Sequence, residues 1–323
     1  MNILLVTNMY PHDEDAYNGI FVYEQIKAIE KEYPNVHFDI YFINGRKSKL
    51  EYLKSIYNIH SKVKKNKYDL IHIHFGLSGL FLLCPLKIKI PILVTFHGSD
   101  IQKESTHNYW MVKISKMVAK RVNAAITLNK NMDKLVRSFN NNTYIIPCAV
   151  DTETFKPIYE PKQYDGEKIV KIIFPSNRNR QVKNYDLFKK TIEILELEYN
   201  LKIMEYELKN MSRNEIAQLY SECDALLLTS KSEGSPQVIK EAMSCNLPCV
   251  CTPVGDVSHL LSNVKDCYVS NQHNAKELAD LVYKSIQLNG KGISGREKIF
   301  ELKLDTESIS QKIFNVYSTL INK

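Results

Sequence analysis

The sequence lacks the features that mark several large classes of protein. It contains no apolar run long enough to cross a membrane, and it does not begin with the basic segment of a secretory signal. Its seven cysteines include no C-x-x-C pair, so we expect buried, reduced thiols, a cytoplasmic location and no metal site. Helix-turn-helix, zinc-finger and aromatic RNA-binding patterns are also missing, and we therefore expect no nucleic-acid partner.

A glycine-rich cofactor loop is absent as well. The segment after the first predicted strand begins Met9-Tyr10-Pro11-His12 rather than G-x-G-x-x-G, which argues against a nicotinamide cofactor and against a P-loop enzyme. The same segment ends in Asn18-Gly19, just before a predicted helix. Gly19 would let a ligand approach backbone N–H groups, although a glycine that precedes a helix more often has a structural reason only.

The residues that are present predict two α/β domains. A chain of 323 residues with 44% hydrophobic content can build two ordinary cores. Short apolar strands alternate with helices up to the segment Pro147–Pro157, and the alternation restarts with a predicted strand at Lys168–Phe174. We predict two doubly wound parallel sheets with a ligand site in a cleft between them. The net charge of +7 suits anionic substrates or an anionic membrane surface.

The most informative stretch follows the predicted strand Ala225–Thr229. The strand leads into a loop that carries Glu233, and a helix follows, for which Ser235 is the candidate N-cap. A helix start of this kind binds anions such as phosphate through its free N–H groups. The residues that we expect around such an anion are Gly234, Ser235, Pro236 and Gln237.

A second carboxylate, Glu241, follows eight residues after Glu233. On a helical wheel it lies at the edge of a predicted buried face formed by Val238, Ile239, Ala242 and Met243. An isolated glutamate on a helix is most often a solvated surface residue. The combined unit is more specific, because an anion site with two hydroxyl-accepting carboxylates matches a nucleotide sugar, which has a pyrophosphate between two polyols.

Two further segments place polar side chains at the carboxyl ends of predicted strands. His97 follows a buried strand that begins at Ile92. A single histidine more often has a structural role, but a position at the carboxyl end of a strand favours a functional one. Arg178, Arg180 and Lys183 follow the first strand of the second half and could neutralise a diphosphate, or could form an ordinary solvated basic loop. His72 and His74 alternate with isoleucines in a strand, and we assign them no role.

Together these motifs resemble the retaining glycosyltransferases of family 4, whose E-x7-E signature is matched by Glu233 and Glu241. The segment from Ile145 to Pro157 is similar to the interdomain motif of that family, with Cys148 and Ala149 in place of its Asn and Gly. The resemblance covers almost the whole chain. It implies a GT-B fold, with an acceptor-side Rossmann-like domain at 1–155, a nucleotide-sugar domain at 156–305, and a last helix within 306–323 that crosses back to the first domain.

The resemblance also implies roles for individual residues. Asn18 and Gly19 match the acceptor-side loop, and His97 matches the histidine near the transferred sugar. The basic pair that binds the donor diphosphate is matched by Lys183 and by either Arg178 or Arg180. Glu233 matches the carboxylate near the donor sugar, and Glu241 the one that binds the nucleotide ribose.

The implied activity is retaining, metal-independent transfer of a hexosyl-type sugar. The donor would be a UDP- or GDP-linked sugar and the acceptor a saccharide or a lipid-linked saccharide, because the N-terminal segment resembles enzymes of bacterial surface-polysaccharide assembly. Two alternatives are a nucleotide-sugar epimerase, which would need an acid/base set that we do not find, and a non-catalytic partner subunit that has lost the site. The presence of His97, Lys183, Glu233 and Glu241 together argues against the second.

One predicted helix raises a question about membranes. The segment Trp110–Arg121 places Trp110, Ile114, Met117 and Val118 on one face and lysines on the others. A basic amphipathic helix can lie at the anionic surface of a membrane, here the inner face. Helices of the same character also cover the sheets of ordinary α/β domains, and we consider packing the better explanation.

Overall fold

Strands and helices alternate along the chain and build two separate parallel sheets. The structure is a computed structural model that describes residues 1–102, 109–158, 169–287 and 294–322. The chain divides into two units, of which the first comprises 1–149 together with 306–323, and the second comprises 150–305. Lys168, the first residue of one predicted strand, and Lys323, the last residue of the predicted C-terminal segment, lie outside the described residues.

The boundary between the units falls at 149/150, whereas the sequence placed it at 155/156. The reason is the environment of Phe155, which is fully buried. Its carbonyl oxygen accepts hydrogen bonds from Ser244 Oγ at 2.5 Å and from Arg296 Nη1 at 2.9 Å, and both residues belong to the second unit.

The first unit contains a six-stranded sheet in the order β2-β1-β3-β4-β5-β6, in which all pairs are parallel. Strands β3, β4 and β5 are buried along their whole length, which confirms the prediction from their apolar sequences. Its strands are β1 (Asn2–Thr7), β2 (His37–Phe42), β3 (Leu70–His74), β4 (Ile92–Thr95), β5 (Ala124–Thr127) and β6 (Thr143–Ile145). Its helices are α1 (Ile20–Glu32), α2 (Leu50–Lys65), α3 (Tyr109–Ala119) and α4 (Lys130–Arg137), with a 3-10 segment at Gly76–Leu83.

The second unit contains a five-stranded parallel sheet in the order β11-β10-β9-β7-β8. Its strands are β7 (Val170–Phe174), β8 (Ile203–Glu207), β9 (Ala225–Leu228), β10 (Cys249–Cys251) and β11 (Tyr268–Val269). Its helices are α5 (Tyr185–Glu198), α6 (Arg213–Glu222), α7 (Gln237–Ser244), α8 (Val257–Leu260), α9 (Ala275–Gln287) and α10 (Gly295–Glu301). The two-residue strand β11 was not predicted, because a segment of that length carries no readable alternation.

The last helix, α11 (Thr306–Ile321), belongs to the first unit, as the sequence predicted. It packs against α1, where Phe314 stacks on Tyr33 with ring centroids 3.9 Å apart. Its buried face includes Ile313 and Tyr317. No helix within the described residues is both long and apolar enough to span a bilayer.

Each sheet has one point at which the strand order reverses. In the first sheet this point lies between β1 and β3, and in the second it lies between β7 and β9. Loops that leave the carboxyl ends of strands at such a point diverge and leave a crevice for ligands. Asn18 and Gly19 follow β1, Lys183 follows β7 and Glu233 follows β9, so these candidate residues lie in such loops.

Candidate functional site

In the second unit, the loops after β7 and β9 meet through a salt bridge between Lys183 and Glu233. Lys183 Nζ lies 2.5 Å from Glu233 Oε1, and the same oxygen accepts a hydrogen bond from Ser230 Oγ at 2.6 Å. Both charged side chains are mostly buried, with 12% and 14% of their surfaces exposed. The second oxygen of Glu233 makes no hydrogen bond within the described part of the chain. It therefore remains available to a ligand.

Backbone contacts fix the relative position of these two loops. Lys231 donates its N–H to the carbonyl of Val182 at 2.8 Å, and Thr229 Oγ1 donates to the carbonyls of Lys183 and Asn184, both at 3.1 Å. The contacts hold Lys183 and Glu233 in place without relying on their own salt bridge.

The loop after β10 adds a third support. Thr252 Oγ1 donates to the carbonyl of Ser230 at 2.7 Å. Gly255 has a φ of 57°, and a Cβ at this position would lie 2.5 Å from the carbonyl oxygen of Gly234. Only glycine fits there, and Gly255 therefore packs directly against the backbone of the loop that carries Glu233.

The two arginines of the predicted basic pair differ in their surroundings. Arg178 stacks over the ring of Tyr185 at 4.8 Å and lies 3.5 and 3.6 Å from carboxylate oxygens of Glu207 and Glu205. Arg180 is exposed, and no ion pair involves its side chain among the described residues. Salt bridges of this length at a partly exposed group contribute little, so both guanidinium groups can turn to an anion.

Helix α7 begins one residue later than the sequence indicated. We predicted Ser235 as N-cap, but the N-cap is Pro236, with extended backbone and no side-chain hydrogen bond to the helix. The Ser235 hydroxyl oxygen is buried and has no hydrogen-bond partner within the described residues. No side chain caps α7 at its N-cap, so its start retains the helix dipole that favours an anion, as the sequence predicted.

Glu241 is not at the edge of a buried face, as we expected, but inside it. Only 2% of its surface is exposed, and its Oε1 accepts a hydrogen bond from Arg213 Nη1 at 2.8 Å. The guanidinium of Arg213 in turn lies 4.5 Å from the centre of the Phe155 ring. The preceding residue, Lys240, is fully buried as well. The helical wheel did not predict the burial of Lys240 and Glu241, because it assigns charged residues to the solvent-exposed side of a helix.

In the first unit, His97 follows β4, the strand that pairs with β3. Its backbone N–H donates to Asp100 Oδ1 at 3.0 Å, and the other oxygen of Asp100 accepts from the backbone N–H of Gly76 at 2.7 Å. Phe21, in the first turn of α1, lies 5.2 Å from the imidazole ring. The fold thus brings His97 next to the helix that Asn18 and Gly19 precede.

Gly19 has a structural reason to be glycine. It is the N-cap of α1 with a φ of 63°, and a Cβ there would lie 2.3 Å from the carbonyl carbon of Met9. Asn18 donates from Nδ2 to the carbonyl of Tyr10 at 3.3 Å and closes the same loop. No side chain caps α1, and the N–H groups of Ile20 and Val22 donate to the backbone carbonyls of Tyr17 and Gly19 instead.

His72 and His74, to which the sequence assigned no role, lie beside His97. The rings of His72 and His74 are 4.3 Å apart, and those of His74 and His97 are 5.3 Å apart. Burial lowers the pKa of His72 and of His97 to about 3, and lowers that of His74 in the same direction. All three imidazoles are therefore neutral at physiological pH. Their alternation in β3, with every second residue a histidine, was the available signal.

The chain's cysteines and acidic residues form no alternative centre. All seven cysteines are free, and five of them are buried. Among the described residues, no group of three His, Cys, Asp or Glu side chains could hold a metal ion.

Comparison with known proteins identifies the two units separately. Residues 6–154 match the family model for Glycosyltransferase Family 4, and residues 181–292 match that for Glycosyl transferases group 1. N-acetyl-alpha-D-glucosaminyl L-malate synthase of Bacillus anthracis is 23% identical, over 90% of this chain and 85% of its own. This similarity favours neither an epimerase nor a non-catalytic subunit.

Solved structures share the whole architecture at low sequence identity. Sucrose-phosphate synthase of Thermosynechococcus elongatus superposes with a TM-score of 0.79 and 16% identity over 99% of both chains. HepE of Anabaena, in complex with UDP-glucose, superposes with a TM-score of 0.73 and 15% identity over 99% of this chain and 100% of its own. The parallel sheets, the matches to both family models and these structures agree: the chain belongs to the family 4 glycosyltransferases of the GT-B fold.

Proposed function

We propose that this glycosyltransferase transfers a hexosyl-type sugar from a nucleotide-sugar donor, with retention of the anomeric configuration, in the synthesis of a surface polysaccharide. The observation that carries the donor assignment is the Lys183–Glu233 pair in front of the uncapped start of α7. A cation, a helix start without a side-chain cap and a carboxylate with one unused oxygen suit a diphosphate and a sugar. HepE, which binds UDP-glucose, has the same fold.

The second unit would hold the nucleotide sugar. Lys183, together with Arg178 or Arg180, would bind the diphosphate, and the residues Gly234, Ser235, Pro236 and Gln237 would surround it at the start of α7. Glu241 would accept hydrogen bonds from the ribose, with Arg213 orienting its carboxylate. UDP and GDP remain the candidate nucleotides.

The chemistry follows from where charge develops. The bond between the anomeric carbon and the phosphate oxygen breaks, and its electron pair stays on the nucleoside diphosphate. Lys183, an arginine and the N–H groups of α7 would stabilise that charge, so no bound metal is needed for it. The acceptor hydroxyl forms the new bond on the same face of the sugar, and its proton passes to the departing phosphate. Glu233 would hold the sugar during this step.

The first unit would supply the acceptor side and one contact to the transferred sugar. His97, neutral and half-buried, is suited to hydrogen-bond a sugar hydroxyl rather than to bind an anion. Asn18 and Gly19 would border the acceptor, a saccharide or a lipid-linked saccharide. The free cysteines fit a reducing compartment, and we place the reaction in the cytoplasm.

A lipid-linked acceptor would bring the first unit to the inner face of the membrane, and α3 has the surface for it. Trp110 is 65% exposed and Met117 is 41% exposed, and Lys113 holds its ammonium 4.9 Å from the Trp110 ring. Helix α2, which packs on the same 3-10 segment, exposes Leu53 and Tyr57. We propose an anionic bilayer as the partner, because apolar and cationic groups occur on the same outer face.

The donor site is tested by calorimetry of the full chain with UDP and with GDP. We expect one of them to bind, and Lys183→Ala to weaken that binding about ten- to a hundredfold, since a charge-assisted hydrogen bond contributes roughly 1.5–3 kcal/mol. Lys231→Ala is the matched control, because this exposed lysine lies in the loop after β9. Arg178→Ala and Arg180→Ala then show which arginine contacts the diphosphate.

Two results would overturn the proposal. One is a wild-type chain that binds neither nucleotide. The other is a Lys183→Ala variant that binds as well as the Lys231→Ala control.

A further inference from the structure

A chain of hydrogen bonds in the first unit leads from helix α1 to His97. Gln25 Nε2 lies 3.4 Å from His74 Nε2, and His74 Nδ1 lies 3.1 Å from His97 Nε2. Gln25 is half-buried in α1, His74 is fully buried at the end of β3, and His97 is half-buried after β4. No other hydrogen bond within the described residues uses the ring nitrogens of His74 or His97.

The first member of this chain sets the direction of all the hydrogen bonds. The amide nitrogen of Gln25 can only donate, so the Nε2 atom of His74 must accept and carries no proton. A neutral imidazole has one N–H, so the proton of His74 lies on Nδ1 and is donated to His97 Nε2. His97 then carries its own proton on Nδ1, which has no partner within the described part of the chain.

We propose that Gln25 and His74 are positioning residues that fix the proton of His97 on Nδ1, so that this histidine presents an N–H donor to an oxygen of the transferred sugar. The proposal rests on the proposed contact between His97 and the donor sugar. Neither Gln25 nor His74 would touch the substrate. They would determine which of the two ring nitrogens of His97 donates a hydrogen bond. The site would therefore select a sugar that has an accepting oxygen opposite His97 Nδ1.

This chain of hydrogen bonds from Gln25 through His74 to His97, the relay, requires that both imidazole rings are neutral. Burial holds the pKa of His74 well below its usual range, and the neighbouring imidazoles of His72 and His97 disfavour its protonated form further. Among the described residues, no carboxylate forms a hydrogen bond or ion pair with either ring, and the oxygens of Asp100 accept from the backbone N–H groups of His97 and Gly76. A ring without a carboxylate partner in a buried place stays uncharged, and a neutral imidazole has a tautomer that a neighbour can choose.

His72 is a neighbour of the relay and not a member. Its Nδ1 lies 2.7 Å from the Tyr317 hydroxyl and its Nε2 lies 2.8 Å from Thr95 Oγ1. Hydroxyl groups both donate and accept, so these contacts impose no tautomer on His72. Its ring centre lies 4.3 Å from that of His74, and both of its ring nitrogens are bonded elsewhere. This difference provides a control variant close to the relay.

The tautomers can be measured without a substrate by long-range nitrogen–proton NMR on the full chain labelled at histidine. The resonances of His74 and His97 are assigned from variants that lack them. We expect both rings in the Nδ1–H form in the wild type. Gln25→Glu introduces an acceptor, which draws the proton of His74 to Nε2, and His97 should then switch to the Nε2–H form. Gln25→Leu should leave a mixture.

Thr95→Val is the matched control, because it removes a partner of His72 with little change of volume. It should leave His97 in the Nδ1–H form. A wild-type His97 in the Nε2–H form would overturn the proposal, whatever the variants do. So would a Gln25→Glu variant that folds and keeps the wild-type tautomer.

A kinetic measurement separates this proposal from the proposed function. The substrate for this measurement is a sugar donor of the nucleotide, UDP or GDP, that binds in the calorimetry. Gln25→Glu should lower kcat about tenfold or more and leave the affinity for the nucleoside diphosphate unchanged, because the altered ring nitrogen of His97 would face the sugar and not the nucleotide. If the tautomer of His97 switches but kcat does not change, the relay exists and the role of His97 in transfer is wrong. If neither changes, the relay itself is wrong.

Discussion

Glu233 and Glu241 are the two carboxylates of one loop–helix unit, yet the protein holds them differently. Glu233 is tied to Lys183 through one oxygen, whereas Glu241 is buried against Arg213. We predict that Glu233→Gln lowers kcat about ten- to a hundredfold, the effect of one lost charge-assisted hydrogen bond. Nucleoside diphosphate affinity should not fall in this variant, because Lys183 is then free to pair with the phosphates.

Glu241→Gln should have the opposite effect. It removes a charge that Arg213 orients toward the ribose, so nucleotide affinity should fall about tenfold or more and kcat should change little. Steady-state kinetics and calorimetry on both variants measure the difference, and Glu193→Gln, on the exposed face of α5, is the control. A fall of kcat in Glu241→Gln and of affinity in Glu233→Gln would reverse the roles that we assign.

The residues that the sequence did not reveal share one property, which is that they are buried polar groups. Lys240 is fully buried, Arg213 binds Glu241, and His74 contacts His97 from a different strand. Periodicity assigns such residues to the solvent because it reads polarity only. The residues in loops at strand ends, among them Lys183, Glu233 and His97, could be predicted because their position follows from the order of strands and helices alone.

At the scale of elements, several apolar strands and the limits of α1 could be predicted, and the way in which α7 starts could not. The sequence predicts strands at Asn2–Thr7, Leu70–His74, Ala124–Thr127 and Cys249–Cys251 and a helix at Ile20–Glu32, and the structure has the same limits for β1, β3, β5, β10 and α1. These segments are short and apolar or strongly periodic. The N-cap of α7 was misplaced because Ser235 has the preferred residue type while Pro236 has the required backbone.

Helix α3 packs in a way that its helical wheel did not indicate. We expected Trp110, Ile114, Met117 and Val118 to form one face, but the buried side chains are Val112, Ser115, Val118 and Ala119. Gly76 and Gly79 leave room for this face, since a Cβ on either would collide with Ser115 or Val118. The helix therefore covers the sheet and still exposes Trp110 and Met117.

This exposed surface leads to a prediction about membranes. The full chain should sediment with vesicles that contain anionic lipids, should not sediment with neutral ones, and should be released by salt. Changing Lys113, Lys116 and Lys120 to Gln should reduce binding by roughly a hundredfold, at about 1 kcal/mol for each lysine near the surface. Trp110→Ala should weaken it as well.

The matched control changes three exposed lysines of the second unit, Lys190, Lys202 and Lys209, to Gln. It removes the same charge from the chain and should leave vesicle binding almost unchanged. If both triple variants lose binding equally, the net charge of +7 attracts the chain and α3 is not the contact surface.

At the scale of the whole molecule, the protein combines a mildly basic surface with uncharged histidines inside its first sheet. Burial places the pKa of His72 and His97 at about 3, and lowers that of His74 in the same direction. Unfolded histidines take up a proton below about pH 6.5. These three groups therefore stabilise the fold above that pH, and their contribution is lost as the pH falls.

Asp100 acts in the opposite direction. Burial raises its pKa to about 6, so its protonation in the folded state offsets the uptake of one proton by the unfolded chain. Around pH 5 the unfolded state binds about two more protons than the folded one, which lowers the free energy of unfolding of the first unit by about 2–3 kcal/mol per pH unit. Amide hydrogen exchange in β3 and β4, followed from about pH 7 to about pH 5 and corrected for the intrinsic rate, measures this loss. His37→Gln changes an exposed histidine of β2 and should leave the slope of the free energy of unfolding against pH unchanged. A protection free energy that does not vary with pH would mean that the buried rings are charged or accessible in the folded protein.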